Sequence, residues 1–161
     1  MFGSGWRPTM GVRKESNPRG KVPRYGSARP AMSTALPLKV FIAEDSAAVA
    51  EMLAELVAQP GRVNVVGTAE SGDAAVESIR RTRPDVVVLD LQLKTGSGTD
   101  VIRSLRADAA LAGTRIIVIS NHVAPHMKAG CLELGADDYF DKVKELPALL
   151  ARLTEFASAK G

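Results

Sequence analysis

Asp85-Val-Val-Val-Leu-Asp90 is the stretch of sequence that decides the fold. It follows a proline and holds four consecutive apolar residues between two acids. A short run that is apolar at every position is typical of a strand buried on both faces, as central strands of parallel sheets are. A glycine-containing loop, Gly96-Ser-Gly98, follows. We therefore predict a central parallel strand over Asp85–Leu89, closed by Asp90.

Strands and helices alternate on both sides of this stretch. The other strands are predicted at Lys39–Ala43, Val63–Thr68, Arg115–Ile119 and Asp138–Asp141. Helices are predicted at Ala47–Val57 after an N-cap at Ser46, from Ser71 or Asp73 to Ile79, through Val101 to Leu105, at Pro125–Leu134 before a C-cap at Gly135, and at Glu145–Ala157. Five strand–helix units with short connections predict one α/β domain over residues 38–158, a doubly wound five-stranded parallel sheet in the order 2-1-3-4-5.

Two of these helices carry apolar residues at the spacing of a single helical face, which we expect to face the core. The residues are Val49, Met52, Leu53 and Leu56 in the first helix, and Leu146, Leu149, Leu150 and Leu153 in the last.

Charged side chains follow three of the predicted strands. Glu44 and Asp45 come directly after the first strand, Asp90 closes the third, and Lys142 follows the fifth. Groups at the carboxyl ends of neighbouring parallel strands meet in one crevice. Three carboxylates placed there repel one another unless a cation holds them together. The arrangement indicates a Mg²⁺-dependent acceptor of phosphoryl groups.

Composition limits the class of protein. The 161 residues allow one domain of common size plus a tail, and 45% hydrophobic residues suffice for a packed core. No apolar run approaches the roughly 20 residues needed to span a bilayer, so we expect no membrane segment. A single cysteine cannot form an internal disulfide, which fits a reducing compartment. We expect a cytoplasmic protein.

Residues 1–37 differ from the remainder of the chain. They hold seven basic residues and one acid, with five glycines and five prolines, so the formal net charge of +3 originates in this tail and the domain is mildly acidic. The tail has no hydrophobic period, and we predict that it is disordered. Three interpretations stay open: translation starts at Met32, the tail is an inert linker, or it is a functional basic arm or transit peptide.

Four motifs together resemble the receiver domains of two-component response regulators. They are Glu44-Asp45, Val-Val-Val-Leu-Asp90-Leu-Gln-Leu with its following Gly96-Ser-Gly98, Ile-Val-Ile-Ser120, and Gly135-Ala-Asp-Asp-Tyr-Phe-Asp-Lys142. The resemblance covers about residues 38–158 and implies the flavodoxin-like (βα)5 receiver fold.

The resemblance implies a role for each of these side chains. Asp90 would take a phosphoryl group from a histidine kinase, a phosphotransfer protein or a small phosphodonor, and Lys142 would donate to a phosphoryl oxygen. Asp45 would bind Mg²⁺ directly, Glu44 mostly through water, and the backbone carbonyl of Gln92 would be a third protein ligand. Oxygen ligands suit Mg²⁺ or Mn²⁺.

A switch is implied as well. The Ser120 hydroxyl would bond to the phosphoryl group, Tyr139 would move inward, and the surface of the fourth helix, fifth strand and fifth helix would report the change to an output protein. Because the sequence stops after the fifth helix, we expect no DNA-binding or enzymatic output domain. The protein would be a signalling phosphoacceptor that catalyses only its own phosphorylation and dephosphorylation.

One departure from the family pattern supports an alternative. The family's lysine is usually followed by proline, whereas Val143 follows Lys142 here. The chain could instead be a phosphate-independent pseudo-receiver that acts as an interaction module, although the three acids argue against it. A phosphatase with an aspartyl-phosphate intermediate is disfavoured, because Gln92 stands where that class needs a second acid.

Overall fold

The computed structural model describes residues 36–160. Residues 1–35 lie outside the described residues, and with them Met32 and nearly all of the predicted tail. Within the described part, no helix is both long enough and apolar enough to cross a membrane.

Five parallel strands form one sheet in the order β2-β1-β3-β4-β5, as predicted. The strands are β1 (Leu38–Ala43), β2 (Val63–Ala69), β3 (Val86–Asp90), β4 (Arg115–Ser120) and β5 (Asp138–Asp141). The helices are α1 (Ala47–Val57), α2 (Gly72–Thr82), α3 (Gly98–Arg106), α4 (Pro125–Leu134) and α5 (Leu146–Lys160), with a short 3₁₀ turn at Ala109–Leu111.

Both faces of the sheet are buried, because the two sides of each central strand pack on different helices. In β3, Val87 and Leu89 belong to the core under α2, α3 and α4, whereas Val86 and Val88 belong to the core under α1 and α5. All five residues of β3 are buried. The apolar stretch from Val86 to Leu89 therefore lies at the centre of the sheet.

Helix ends follow the predicted caps, and their lengths differ slightly. Ser46 accepts a hydrogen bond from the Val49 N–H at the start of α1, and Ser71, not Asp73, does the same for α2. Gly135 ends α4 in the left-handed region at φ +119°, where glycine is favoured. Helix α2 runs to Thr82 and α5 to Lys160, each three residues beyond the predicted end.

The predicted face of α1 was partly wrong, since Leu53 is buried and Val49 packs against the core but the other two residues do not lie in it. The buried residues are Ala50, Leu53 and Val57, whereas the side chains of Met52 and Leu56 are 49% and 44% exposed. Two neighbouring stripes of this helix are both apolar, so the spacing alone did not choose between them. The observed rotation places the small Ala50 side chain against the sheet. For α5 the prediction is closer, since Leu149 and Leu153 are buried and Phe156 joins them.

The rotation of α1 predicts unequal effects for two leucines on the same helix. Leu53→Ala is expected to lower the free energy of unfolding by about 2–5 kcal/mol, because it leaves a cavity in the core. Leu56→Ala is expected to change it by less than about 1 kcal/mol, because that side chain is nearly half exposed. Urea unfolding of both variants measures the difference. Equal losses would contradict the observed rotation.

Candidate functional site

The carboxyl ends of β1, β3, β4 and β5 place the predicted side chains along one edge of the sheet. Glu44 and Asp45 follow β1, Asp90 is the last residue of β3, Ser120 the last of β4, and Lys142 follows β5. Because β1 and β3 are adjacent and parallel, the three acids converge as predicted. The Lys142 N–H donates to the Ser120 carbonyl at 2.9 Å, which fixes the backbone of Lys142 to the same edge.

Three carboxylates come close together at this edge. Glu44, Asp45 and Asp90 each offer an oxygen, and these oxygens lie within 4.8 Å of one another. Glu44 and Asp90 are buried, being 1% and 4% exposed, whereas Asp45 is partly exposed. Asp90 Oδ1 also accepts a hydrogen bond from the Gln92 N–H at 3.1 Å.

Lys142 joins two of these acids. Its Nζ lies 2.9 Å from Asp90 Oδ2 and 2.6 Å from Glu44 Oε1, and the lysine side chain is only 13% exposed. A single ammonium thus offsets part of the negative charge of three carboxylates. The remaining excess is negative and partly buried.

This excess charge perturbs the pKa values of the site. Burial, followed by the neighbouring Asp45 and Asp90, raises the pKa of Glu44 from 4.5 to about 7, although Lys142 and the Ser46 N–H act in the opposite direction. The pKa of Asp45 is lowered, mainly by its hydrogen bond with Glu44. Burial alone would lower the pKa of Lys142, but its bonds to Glu44 and Asp90 outweigh this effect and raise it.

The donor set fits a divalent cation. Among residues 36–160, Glu44 Oε1 is the one buried side-chain oxygen or nitrogen without an aligned hydrogen bond, and its charged neighbour is the Lys142 ammonium at 2.6 Å. This contact leaves the carboxylate oxygen with capacity for a metal ion or a metal-bound water. The three acids supply oxygen only, which is the preference of Mg²⁺ and Mn²⁺.

The burial of Glu44 predicts a pH-dependent instability in metal-free solution. A carboxyl group whose pKa is higher in the folded than in the unfolded chain contributes full stability below the unfolded pKa and loses it as the pH rises through the folded value. For Glu44 this window runs from 4.5 to about 7. We therefore expect the change in the free energy of unfolding caused by Glu44→Gln to be about 1–3 kcal/mol more stabilising at pH 8 than at pH 5.

Urea unfolding in the presence of a chelator at the two pH values measures this effect. Glu51→Gln, on the exposed side of α1, removes the same charge outside the site and serves as the control. An equal effect of Glu44→Gln at pH 5 and pH 8 would contradict the raised pKa.

Ser120 and Tyr139 meet at one backbone carbonyl. The Ser120 hydroxyl donates to the His122 carbonyl at 3.1 Å, and its oxygen accepts the His122 N–H at 3.1 Å. The Tyr139 hydroxyl donates to the same carbonyl at 2.8 Å, and Tyr139 is 1% exposed. The two residues predicted to form a switch are therefore joined through the loop between β4 and α4.

The sequence did not reveal the roles of three features of the site, although Gly98 and Asp141 stand in the quoted motifs. The His122 carbonyl is one, because backbone acceptors leave no trace in residue type. Gly98 is the second: a Cβ there would lie 2.8 Å from the Asp90 carbonyl oxygen, so only glycine lets α3 begin so close to the end of β3. The third is Asp141, whose carboxylate accepts the N–H groups of Val143 and Lys144. The available signal for Asp141 was its residue type, because aspartate side chains often accept the backbone N–H of the residue two positions further along a turn.

Comparisons with known proteins show which family the chain resembles in sequence and in fold. Residues 40–154 match the family model of the response regulator receiver domain. The sensory transduction protein RegX3 of Mycolicibacterium smegmatis is 37% identical over 115 residues, which are 71% of this chain and 48% of RegX3. The protein-glutamate methylesterase/protein-glutamine glutaminase of Bacillus subtilis is 28% identical over 107 residues, which are 65% of this chain and 29% of that protein.

The chain thus spans less than half the length of these two curated relatives. Among solved structures, the BeF₃-activated N-terminal receiver domain of Klebsiella pneumoniae RstA superposes with a TM-score of 0.66 at 30% identity, covering 74% of this chain and 97% of that one. The family match covers most of the sequence, overlaps all five strands and includes every charged residue of the site. The chain belongs to the response regulator receiver domain family.

Proposed function

We propose that Asp90 accepts a phosphoryl group in a Mg²⁺-dependent reaction and that the phosphorylated domain signals through protein contacts. The phosphodonor would be a histidine kinase, a phosphotransfer protein or a small acyl phosphate. The protein would act as a signalling phosphoacceptor, not as an enzyme with a separate substrate.

The contact between Lys142 and Asp90 carries this proposal. Asp90 is buried at the end of the central strand, and its carboxylate lies 2.9 Å from the Lys142 ammonium, beside two further acids. A structural ion pair would need one acid, and the two extra carboxylates only add repulsion. A role in holding a metal ion next to a nucleophile would explain why three mutually repelling acids are placed together.

The chemistry is a phosphoryl transfer onto a carboxylate. An Asp90 oxygen forms a new bond to phosphorus, while the bond from phosphorus to the donor's oxygen or nitrogen breaks and the leaving group retains the electron pair. Lys142 donates to a phosphoryl oxygen and offsets the charge of nucleophile and donor. Mg²⁺, held by Asp45, Asp90, the Gln92 carbonyl and, through water, Glu44, would supply further positive charge where the phosphoryl oxygens lie.

Transmission would use the hydroxyl of Ser120, the last residue of β4. In the structure the Ser120 hydroxyl donates to the His122 carbonyl. Bonding to a phosphoryl oxygen requires that hydroxyl to reorient, which leaves the carbonyl to the Tyr139 hydroxyl alone. The loop between β4 and α4 is therefore biased by the phosphoryl group, and we propose the surface of α4, β5 and α5 as the output surface.

The alternative of a phosphate-independent module rested on Val143 after Lys142. Lys142 nonetheless reaches both Asp90 and Glu44. Its ammonium therefore lies where a phosphoryl group on Asp90 would need it, which favours the phosphoacceptor.

Trapping of the acyl phosphate tests this proposal. Borohydride reduces an aspartyl phosphate to an alcohol, so the modified residue can be located by peptide mass. After incubation with acetyl phosphate and Mg²⁺, we expect reduction at Asp90 only. Asp90→Asn should show none, and Asp85→Asn, at the opposite end of the same strand, should be reduced like the wild type. Reduction at another acid would overturn the assignment of Asp90.

A further inference from the structure

Asp141 closes a turn around Lys142 with four hydrogen bonds. Its Oδ1 accepts the N–H groups of Val143 at 2.9 Å and of Lys144 at 2.7 Å. Its backbone N–H donates to Glu145 Oε1 at 2.9 Å, and its carbonyl accepts the Glu145 N–H at 3.1 Å. Asp141 thus fixes the backbone of residues 143–145, which follow Lys142.

Position 143 contributes its N–H rather than its side chain. The Val143 side chain is 75% exposed, so it packs against little of the domain. Proline, which usually follows the lysine in this family, has no N–H and cannot make the bond to Asp141. The turn made by Asp141 therefore constrains the backbone at the position where this family usually has a proline.

We propose that Asp141 is a positioning residue for Lys142, holding the lysine backbone so that its ammonium stays against Asp90. The inference rests on the proposed function of Asp90. A lysine side chain has four rotatable bonds, so a fixed backbone limits the volume that its ammonium can sample. The Lys142 N–H is fixed to Ser120 on one side, and the Asp141 turn fixes the following peptide on the other.

Two observations separate Asp141 from the acids proposed to bind metal and describe its state. Asp141 is not part of the cluster of Glu44, Asp45 and Asp90. The N–H groups of Lys144 and Val143 hold the pKa of Asp141 below its usual value, so the acceptor is ionised at neutral pH. An ionised acceptor with two N–H donors is a strong local constraint on a turn.

The competing interpretation is that Asp141 only stabilises the turn that leads into α5. Such a role would alter stability but would not depend on the Lys142 side chain. A double-mutant cycle separates the two, because a residue that acts through Lys142 loses its effect on phosphorylation when the ammonium is absent.

The experiment measures initial rates of phosphorylation of the full chain by acetyl phosphate at saturating Mg²⁺, well below the thermal midpoint of every variant. Asp141→Ala is expected to lower the rate about tenfold, since small displacements of a catalytic group have effects of this order. Asp141→Asn, whose amide oxygen can accept the same two N–H groups, should stay within about threefold of wild type, and Asp141→Ser should lie between them. In a Lys142→Ala background, Asp141→Ala should have no further effect.

Asp108→Ala is the matched control. Asp108 makes the same kind of turn, accepting the Ala110 N–H at 3.0 Å, in the connection between α3 and the start of β4. It should retain the wild-type rate. A wild-type rate for Asp141→Ala, or an equal loss in both backgrounds, would overturn the positioning role alone. Absence of any Asp90-dependent phosphorylation in the wild type would overturn the proposed function and this inference with it.

Discussion

Lys142→Ala is expected to slow phosphorylation of Asp90 by roughly two to three orders of magnitude, the loss usual for removing a charge-stabilising donor from a buried site. The Lys142 side chain is 13% exposed and its ammonium contacts both Asp90 and Glu44, so no solvent group replaces it readily. Without it, the negatively charged phosphodonor would approach three carboxylates that have lost their neighbouring cation. We expect Lys142→Ala to lower the rate of phosphoryl transfer more than it lowers the affinity for Mg²⁺.

Lys144→Ala is the control for this prediction. Lys144 lies two residues away, has an exposed side chain and keeps its N–H bond to Asp141 when the side chain is removed. Initial rates with acetyl phosphate at saturating Mg²⁺ compare the two variants. Similar rates for Lys142→Ala and wild type would show that the contact between lysine and Asp90 is a structural ion pair.

Asp45→Asn is expected to weaken divalent-metal binding at least about tenfold, because it removes the charge of a proposed direct ligand that is already ionised. Mn²⁺ is a convenient probe, since the free ion is counted by electron paramagnetic resonance. The Asp45 carboxylate oxygen lies within 4.8 Å of oxygens from Glu44 and Asp90, so an amide there should lower affinity without disturbing the core.

Glu51→Gln again supplies a charge-matched control, because it removes one negative charge from the exposed side of α1. It separates loss of a ligand from a change of net charge. Equal Mn²⁺ affinities for the two variants would show that the metal binds elsewhere or has no defined site.

Much of the fold was predictable because its signals are local and repeated. The run from Val86 to Leu89 is apolar on both faces, and Gly135 and Ser46 mark helix ends through backbone requirements that few residues meet. The rotation of α1 was not predictable in the same way. Its two apolar stripes differ mainly in that one contains Ala50, and the choice between them depends on packing against the sheet.

The candidate site shows the same division. The convergence of Glu44, Asp90 and Lys142 follows from strand order alone, since parallel strands bring their carboxyl ends together. The bonds of the His122 carbonyl and the turn made by Asp141 depend on backbone geometry after each strand ends. Val143 illustrates the difference: its residue type suggested a defect, whereas its N–H is part of an ordered turn.

The raised pKa of Glu44 shows that this site works against stability in the metal-free protein. A buried carboxyl that resists ionisation is unfavourable to folding at neutral pH, and Lys142 offsets only part of this. Clusters of this kind are typical of functional sites.

The most direct test of phosphorylation at Asp90 is the intact mass of the protein after incubation with acetyl phosphate, with and without Mg²⁺, for wild type and Asp90→Asn. We predict one phosphoryl adduct on the wild type, formed only with Mg²⁺, and none on Asp90→Asn. No adduct on the wild type, at a Mg²⁺ concentration shown to displace bound Mn²⁺, would contradict the central claim. An adduct that persists in Asp90→Asn would contradict it equally.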